Sequence, residues 1–194
     1  MSTGIATGAG APPVTSDFEI YPIPVMQTTG AAVLETYNNT TALEGSMWYL
    51  PLRTTFNRIQ FRTGSGWEGA NTTRMCIYAS ADGSIKASLN RVVNVVIDNS
   101  LISNTTTERI VVPTTTLQSG YYLIGFGRDT GTASIQIESW TQNTATIHTT
   151  DRLGVPTVFN AGISSTAPPT TLDPTTLTPE PAEELLPVHK FELA

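Results

Sequence analysis

Residues Arg74 to Ser84 read RMCIYASADGS, and the fold turns on whether this is a reactive site or a strand entering a turn. Met75, Ile77 and Ala79 alternate with Cys76 and Tyr78, which is the period of a β-strand. Asp82-Gly83 is a hairpin signal. A reactive thiol requires a base or a cationic setting that holds it as thiolate. The sequence places only Arg74 beside Cys76, and the two histidines are far off at His148 and His189. The stretch therefore reads as strand and turn, with Cys76 a small buried residue.

The same texture spreads outward. In NRIQFRT, Ile59 and Phe61 share one face and Arg58, Gln60 and Arg62 the other. In ASIQIESW, Ile135 and Ile137 oppose Ser134, Gln136 and Glu138. RVVNVVID and YYLIGFG are apolar on both faces, with Val93, Val95 and Ile97 opposite Val92 and Val96, and Tyr122, Ile124 and Phe126 opposite Tyr121 and Leu123. A strand with two apolar faces needs two covers: a second sheet on one side, and a neighbouring subunit or docked arm on the other. Strands are expected near 31–37, 47–52, 57–63, 74–80, 85–97, 108–112, 120–127, 133–140 and 144–149, separated by Gly, Asn and Asp turns. Residues 181–186 are the one weak helical candidate. Short strands at regular spacing predict an all-β chain, a single antiparallel jelly-roll β-sandwich over 27–153. Residues 1–26 (Gly/Ala/Thr/Pro-rich, ending in YPIPV) and 154–194 (Pro/Thr-rich) read as extended arms, the second ending in EELLPVHKFELA, which could dock on something.

Composition supports the class. Threonine supplies 33 of 194 residues and charged side chains only 13%, where an ordinary domain carries about 25%. The ten Lys and Arg are scattered along a chain of net charge -6. Nucleic-acid binding needs clustered cations, so it is not expected. One cysteine makes no intramolecular disulfide. MSTGIATGAGAPP has neither the basic nor the apolar region of a Sec signal, and no stretch is long and apolar enough for membrane insertion. The expectation is synthesis in a cytoplasm.

The side chains able to carry chemistry are sparse. His148 and Asp151 lack a Gly-x-Ser-x-Gly elbow. Asp98–Glu108 resembles a calcium loop but lacks the alternating oxygens and central glycine. GSGWEG (Gly64–Gly69) lacks the lysine and following helix of a phosphate loop. Two histidines and one cysteine give no zinc spacing, and the core carboxylates fall in turns or on exposed faces. No catalytic residue, cofactor or metal is expected. Two aromatics are candidate surface-ligand or interface contacts: Trp67, in a Gly-flanked turn, and Tyr121. Trp48 and Trp140 read as strand or sheet-rim residues.

One arrangement resembles a known family. TTFNRIQFRT (Thr54–Thr63), TRMCIYASADGSIKASL (Thr73–Leu89) and TLQSGYYLIGFG (Thr116–Gly127) together resemble a jelly-roll module of tailed-bacteriophage virion proteins. The resemblance rests on Phe56, Arg58 and Ile59, on Arg74, Ile77 and Tyr78, and on Leu117, Gly120, Tyr121, Tyr122 and Leu123, and spans about residues 45–140. Cys76 departs from the family's glycine, and IKASL from its Pro-Gly turn. The resemblance implies a virion setting, in tail fibres, spikes or head decorations that are often trimeric, and carries no catalytic residue. The expected function is a non-enzymatic virion structural protein: a fibre, spike or capsid decoration subunit with a mechanical and adhesive role, assembling with itself as a homotrimer and with other virion proteins through its arms, and touching a host surface glycan. The alternative is a carbohydrate-binding β-sandwich module of a non-viral protein.

Overall fold

The structure is a computed structural model. It describes residues 19–20, 23–24, 28–37, 41–64, 72–102, 107–130, 135–142, 158–179, 186–187 and 189–194. These residues form antiparallel sheets, and no α-helix occurs among them.

Four strand pairs nest inside one another. β3 (Thr28–Tyr37) pairs with β10 (Ile135–Gln142), β4 (Glu44–Leu50) with β9 (Gly120–Thr130), β5 (Thr54–Arg62) with β8 (Thr107–Leu117), and β6 (Thr72–Ser80) with β7 (Leu89–Asp98). β6 also pairs with β9, so β7, β6, β9 and β4 run side by side in one sheet. The β5–β8 and β3–β10 pairs belong to two further sheets, linked by a bridge between Thr63 and Ile137. Phe56, Ile59, Phe61 and Ile110 from the one side meet Trp48, Met75, Ile77, Val93, Tyr122, Ile124 and Phe126 from the other in one buried cluster. The β-sandwich follows from alternation: each strand gives this cluster every second side chain.

Eight expected strands are present, and 144–149 lies outside the described residues. Two boundaries differ by more than three residues. β7 starts at Leu89 because the turn opened by Asp82-Gly83 continues to Ser88, closed by Ala81 N–H donating to the Ser88 carbonyl at 3.0 Å. β8 runs on through Pro113 to Leu117, which an edge strand tolerates because its outer N–H groups have no ladder partner. Of the helical candidate 181–186, only Leu186 is described, and it lies in a strand.

The second face of the eight-stranded sheet is covered by the chain itself. Leu43, Met47, Cys76, Tyr78, Leu89 and Leu123 pack against Phe159, Ile163, Leu172 and Leu177. Burial of each large apolar side chain is worth about 1.5–3 kcal/mol. The described part of the Pro/Thr-rich segment therefore lies along the sheets. β11 (Val158–Ala161) pairs with β4 and with β13 (Thr178–Pro179), and β12 (Thr171–Leu172) pairs with β7. β14 (Leu186–Pro187) pairs with β10, and β15 (His189–Leu193) with β5. On the N-terminal side, β1 (Glu19–Ile20) pairs with β15 and β2 (Ile23–Pro24) with β4. Prolines limit most of these to two-residue strands, which show no period in the sequence.

Candidate functional site

Cys76 lies on the face of β6 that packs under residues 158–177 and is fully buried. Its thiol is 3.5 Å from Asn94 Oδ1. Burial pushes the thiol up to about 12, with Arg91 and Arg74 opposing the shift only in part, so it stays protonated. Arg74 is itself engaged. Its Nε donates to Asp129 Oδ1 at 3.0 Å, its Nη1 to Asn94 Oδ1 at 2.8 Å, and its Nη2 also to Asp129. Tyr78 donates to the Pro169 carbonyl at 2.9 Å, and Arg91 to the Pro168 carbonyl. RMCIYAS thus anchors the covering segment.

A buried imidazole was not expected. His189, assigned to an arm by the proline density before it, is 3% exposed between the sheets. Its Nδ1 lies 2.8 Å from the Pro187 carbonyl and its Nε2 2.6 Å from the Tyr122 hydroxyl. A carbonyl only accepts, so Nδ1 carries the proton, and Nε2 accepts from Tyr122. Trp48 stands edge-on to the ring at 4.8 Å, with Phe61, Tyr122 and Phe191 around it. Burial pulls the imidazole down to about 4, partly offset by its bond to Pro187. Tyr122 is held well above the usual phenol range by burial alone. The available signal was HKFEL itself, whose alternation puts His189 and Phe191 on one face. Trp48, read as a strand or sheet-rim residue, lies within β4 and is fully buried.

The carboxylates that looked like ligands serve turns. Asp98 Oδ1 accepts from Ser100 N at 2.9 Å and Ser100 Oγ at 2.7 Å, and Asp82 Oδ1 accepts from Ser84 N at 2.8 Å. These hydrogen bonds hold both acids below the usual carboxylate range. Among the described residues, no group of three His, Cys, Asp or Glu could hold a metal. His148 and Asp151 lie outside the described residues, as do Trp67 and residues 103–106 of the calcium-like loop.

Two surface features remain. A cleft of about 200 Å³ opens at one end of the sandwich, between the turn after β6 and the β8–β9 turn. Asn90, Gln118, Ser119 and Tyr121 line it, and no carboxylate, imidazole, thiol or cation does. Tyr121 is half-buried, its ring edge-on to Tyr49 at 5.2 Å. Gly120, at φ +141°, closes one side: a Cβ there would meet Gly83 Cα at 2.7 Å. This lining can hydrogen-bond a neutral polar molecule and has no acid or base to transform it. The second feature is a groove of about 270 Å³ between β7 and β8. Val96 (48% exposed), Leu101 (77%) and Val111 (70%) stand along it.

Comparison with protein-family models, curated proteins and solved structures finds no match to this chain.

Proposed function

We propose that the chain is a non-enzymatic structural subunit of a tailed-phage particle, a fibre, spike or capsid decoration protein built on a jelly roll. The nested pairing of β3 with β10, β4 with β9, β5 with β8 and β6 with β7 carries this reading. Such nesting fits a ribbon wrapped into a roll, an architecture used by capsid proteins and lectins. The residues behind the phage resemblance occupy packing positions. Phe56, Ile59, Ile77, Tyr78, Leu117, Tyr122 and Leu123 are buried, and Gly120 closes a turn. The burial of Cys76 and His189 supports a role without catalysis.

Self-association finds support in the β7–β8 groove. β9 is covered on both faces within the chain, whereas β7 leaves Val96 exposed on its second face. Val96, Leu101 and Val111 do give a neighbouring copy an apolar surface beside two strand edges. In the homotrimer we propose, this surface makes the contacts between copies.

The Tyr121 cleft favours a second reading, a carbohydrate-binding module. The two readings meet if the particle protein touches a neutral host glycan. An antibody raised against the chain should label intact particles from the encoding phage. Chain found only in the particle-free fraction of a lysate would refute the structural reading. Loss of neutral oligosaccharide binding in Tyr121→Ala, without label on particles, would favour the second.

A further inference from the structure

We propose that His189 is an acid-operated latch: adding a proton to its ring releases β15, and with it β1, while the eight-stranded sheet holds. β15 lies between β1 and β5, and among the described residues β1 pairs only with β15. Its inward side chains, His189 and Phe191, are buried against β4, β5 and β9. A latch on β15 therefore governs the β1–β15 edge of the four-stranded sheet.

The hydrogen bonds supply the mechanism. Nδ1 already carries a proton toward the Pro187 carbonyl, so a second proton must go to Nε2. That nitrogen accepts from the Tyr122 hydroxyl at 2.6 Å. Once it is protonated, two donors face each other. The Tyr122 hydroxyl can turn to accept, but its own hydrogen then needs a new acceptor, and the side chains of Trp48, Phe61 and Phe191 packed around the imidazole offer no oxygen. A buried donor without a partner is costly, and a buried charge more so.

No described charge compensates. Lys190 and Glu192 on β15, and Arg58 and Arg62 on β5, point to the opposite face. Glu44 on β4 is four residues from Trp48, about 13 Å along the strand. Arg128 and Asp129 on β9 are farther still from Tyr122, and β14 carries no charged residue. Glu138 on β10 is paired with Arg62. Glu19 on β1 is in register with Glu192. Tyr122 is the one titratable neighbour of the ring, and burial keeps its hydroxyl neutral. The surrounding rings return only part of the desolvation.

The eight-stranded sheet has its own support. Its outer cluster, from Leu43 to Leu177, contains no residue of β15.

The test is hydrogen exchange of the full chain by mass spectrometry at about pH 7 and about pH 4.5, corrected for intrinsic rates. Exchange in 186–194 should rise on the order of ten-fold or more on acidification, while 72–80 stays protected. In His189→Phe, which fills the cage without titrating, 186–194 should stay protected at both values. Unchanged protection in the wild type would overturn the proposal, and so would equal loss in the variant. Should His189→Phe fail to fold, NMR titration of the His189 ring in the wild type decides. Release at the ring's own midpoint supports the latch, and release at another pH refutes it.

Discussion

The Tyr122 hydroxyl donates to Nε2 of His189 at 2.6 Å, joining the middle of β9 to a strand 67 residues further along the chain. Tyr122→Phe should leave a buried nitrogen without its donor, at a cost of about 1–3 kcal/mol. Urea denaturation at neutral pH measures it. A midpoint equal to that of the wild type would show that the contact contributes nothing.

The same histidine sets a pH window. Burial pulls its folded pKa down to about 4 from the ordinary 6.5, so folding favours the neutral ring. The stability it contributes is fully present above about pH 6.5 and is lost as pH falls toward 4. Asp82, Asp98 and Asp173 are also depressed, but from 3.8, so their contributions fade at lower pH. Unfolding free energy should therefore fall by up to about 1.4 kcal/mol per pH unit across the histidine's window. His189→Phe should flatten that slope. An equally steep slope in the variant would assign the effect to other groups.

Cys76 should be inert in the folded chain. Its thiol is buried and stays protonated at physiological pH, and thiolate is the reactive form. A thiol reagent at about pH 8 should label the native protein far more slowly than the unfolded one. Stoichiometric labelling of the native chain at the unfolded rate would contradict its placement.

The strands after Val158 should be needed for folding. Phe191 stacks on Phe56 at 4.3 Å, and Phe159 covers Leu43 and Gly125. Phe191→Ala should cost about 3–5 kcal/mol. Truncation before Val158 should expose Met47, Tyr78 and Leu123 and abolish cooperative unfolding. A truncated chain with an unchanged thermal transition would show that the covering segment is dispensable.

Alternation made the central strands legible. RMCIYAS sends Met75 and Ile77 to one core and Cys76 and Tyr78 to the other, as period two requires. Turn chemistry was legible at Asp82-Gly83. The cover over Cys76 was not, because Phe159 and Leu172 sit in very short strands and Ile163 and Leu177 outside any strand, in a segment broken by Pro168, Pro169 and Pro174 where no period can establish itself. His189 was obscured by the same prolines, although HKFEL alternates. The Tyr121 cleft arises where two turns meet, and only tertiary structure brings Asn90 and Gln118 to the same opening.

The central claim is that this sandwich is an assembling subunit, and light scattering on the purified full chain tests it most directly. The expected result is a species of three times the 20.8 kDa chain mass that loses its size when Val96 and Val111 are replaced by Asp. A monomer at all accessible concentrations would contradict it.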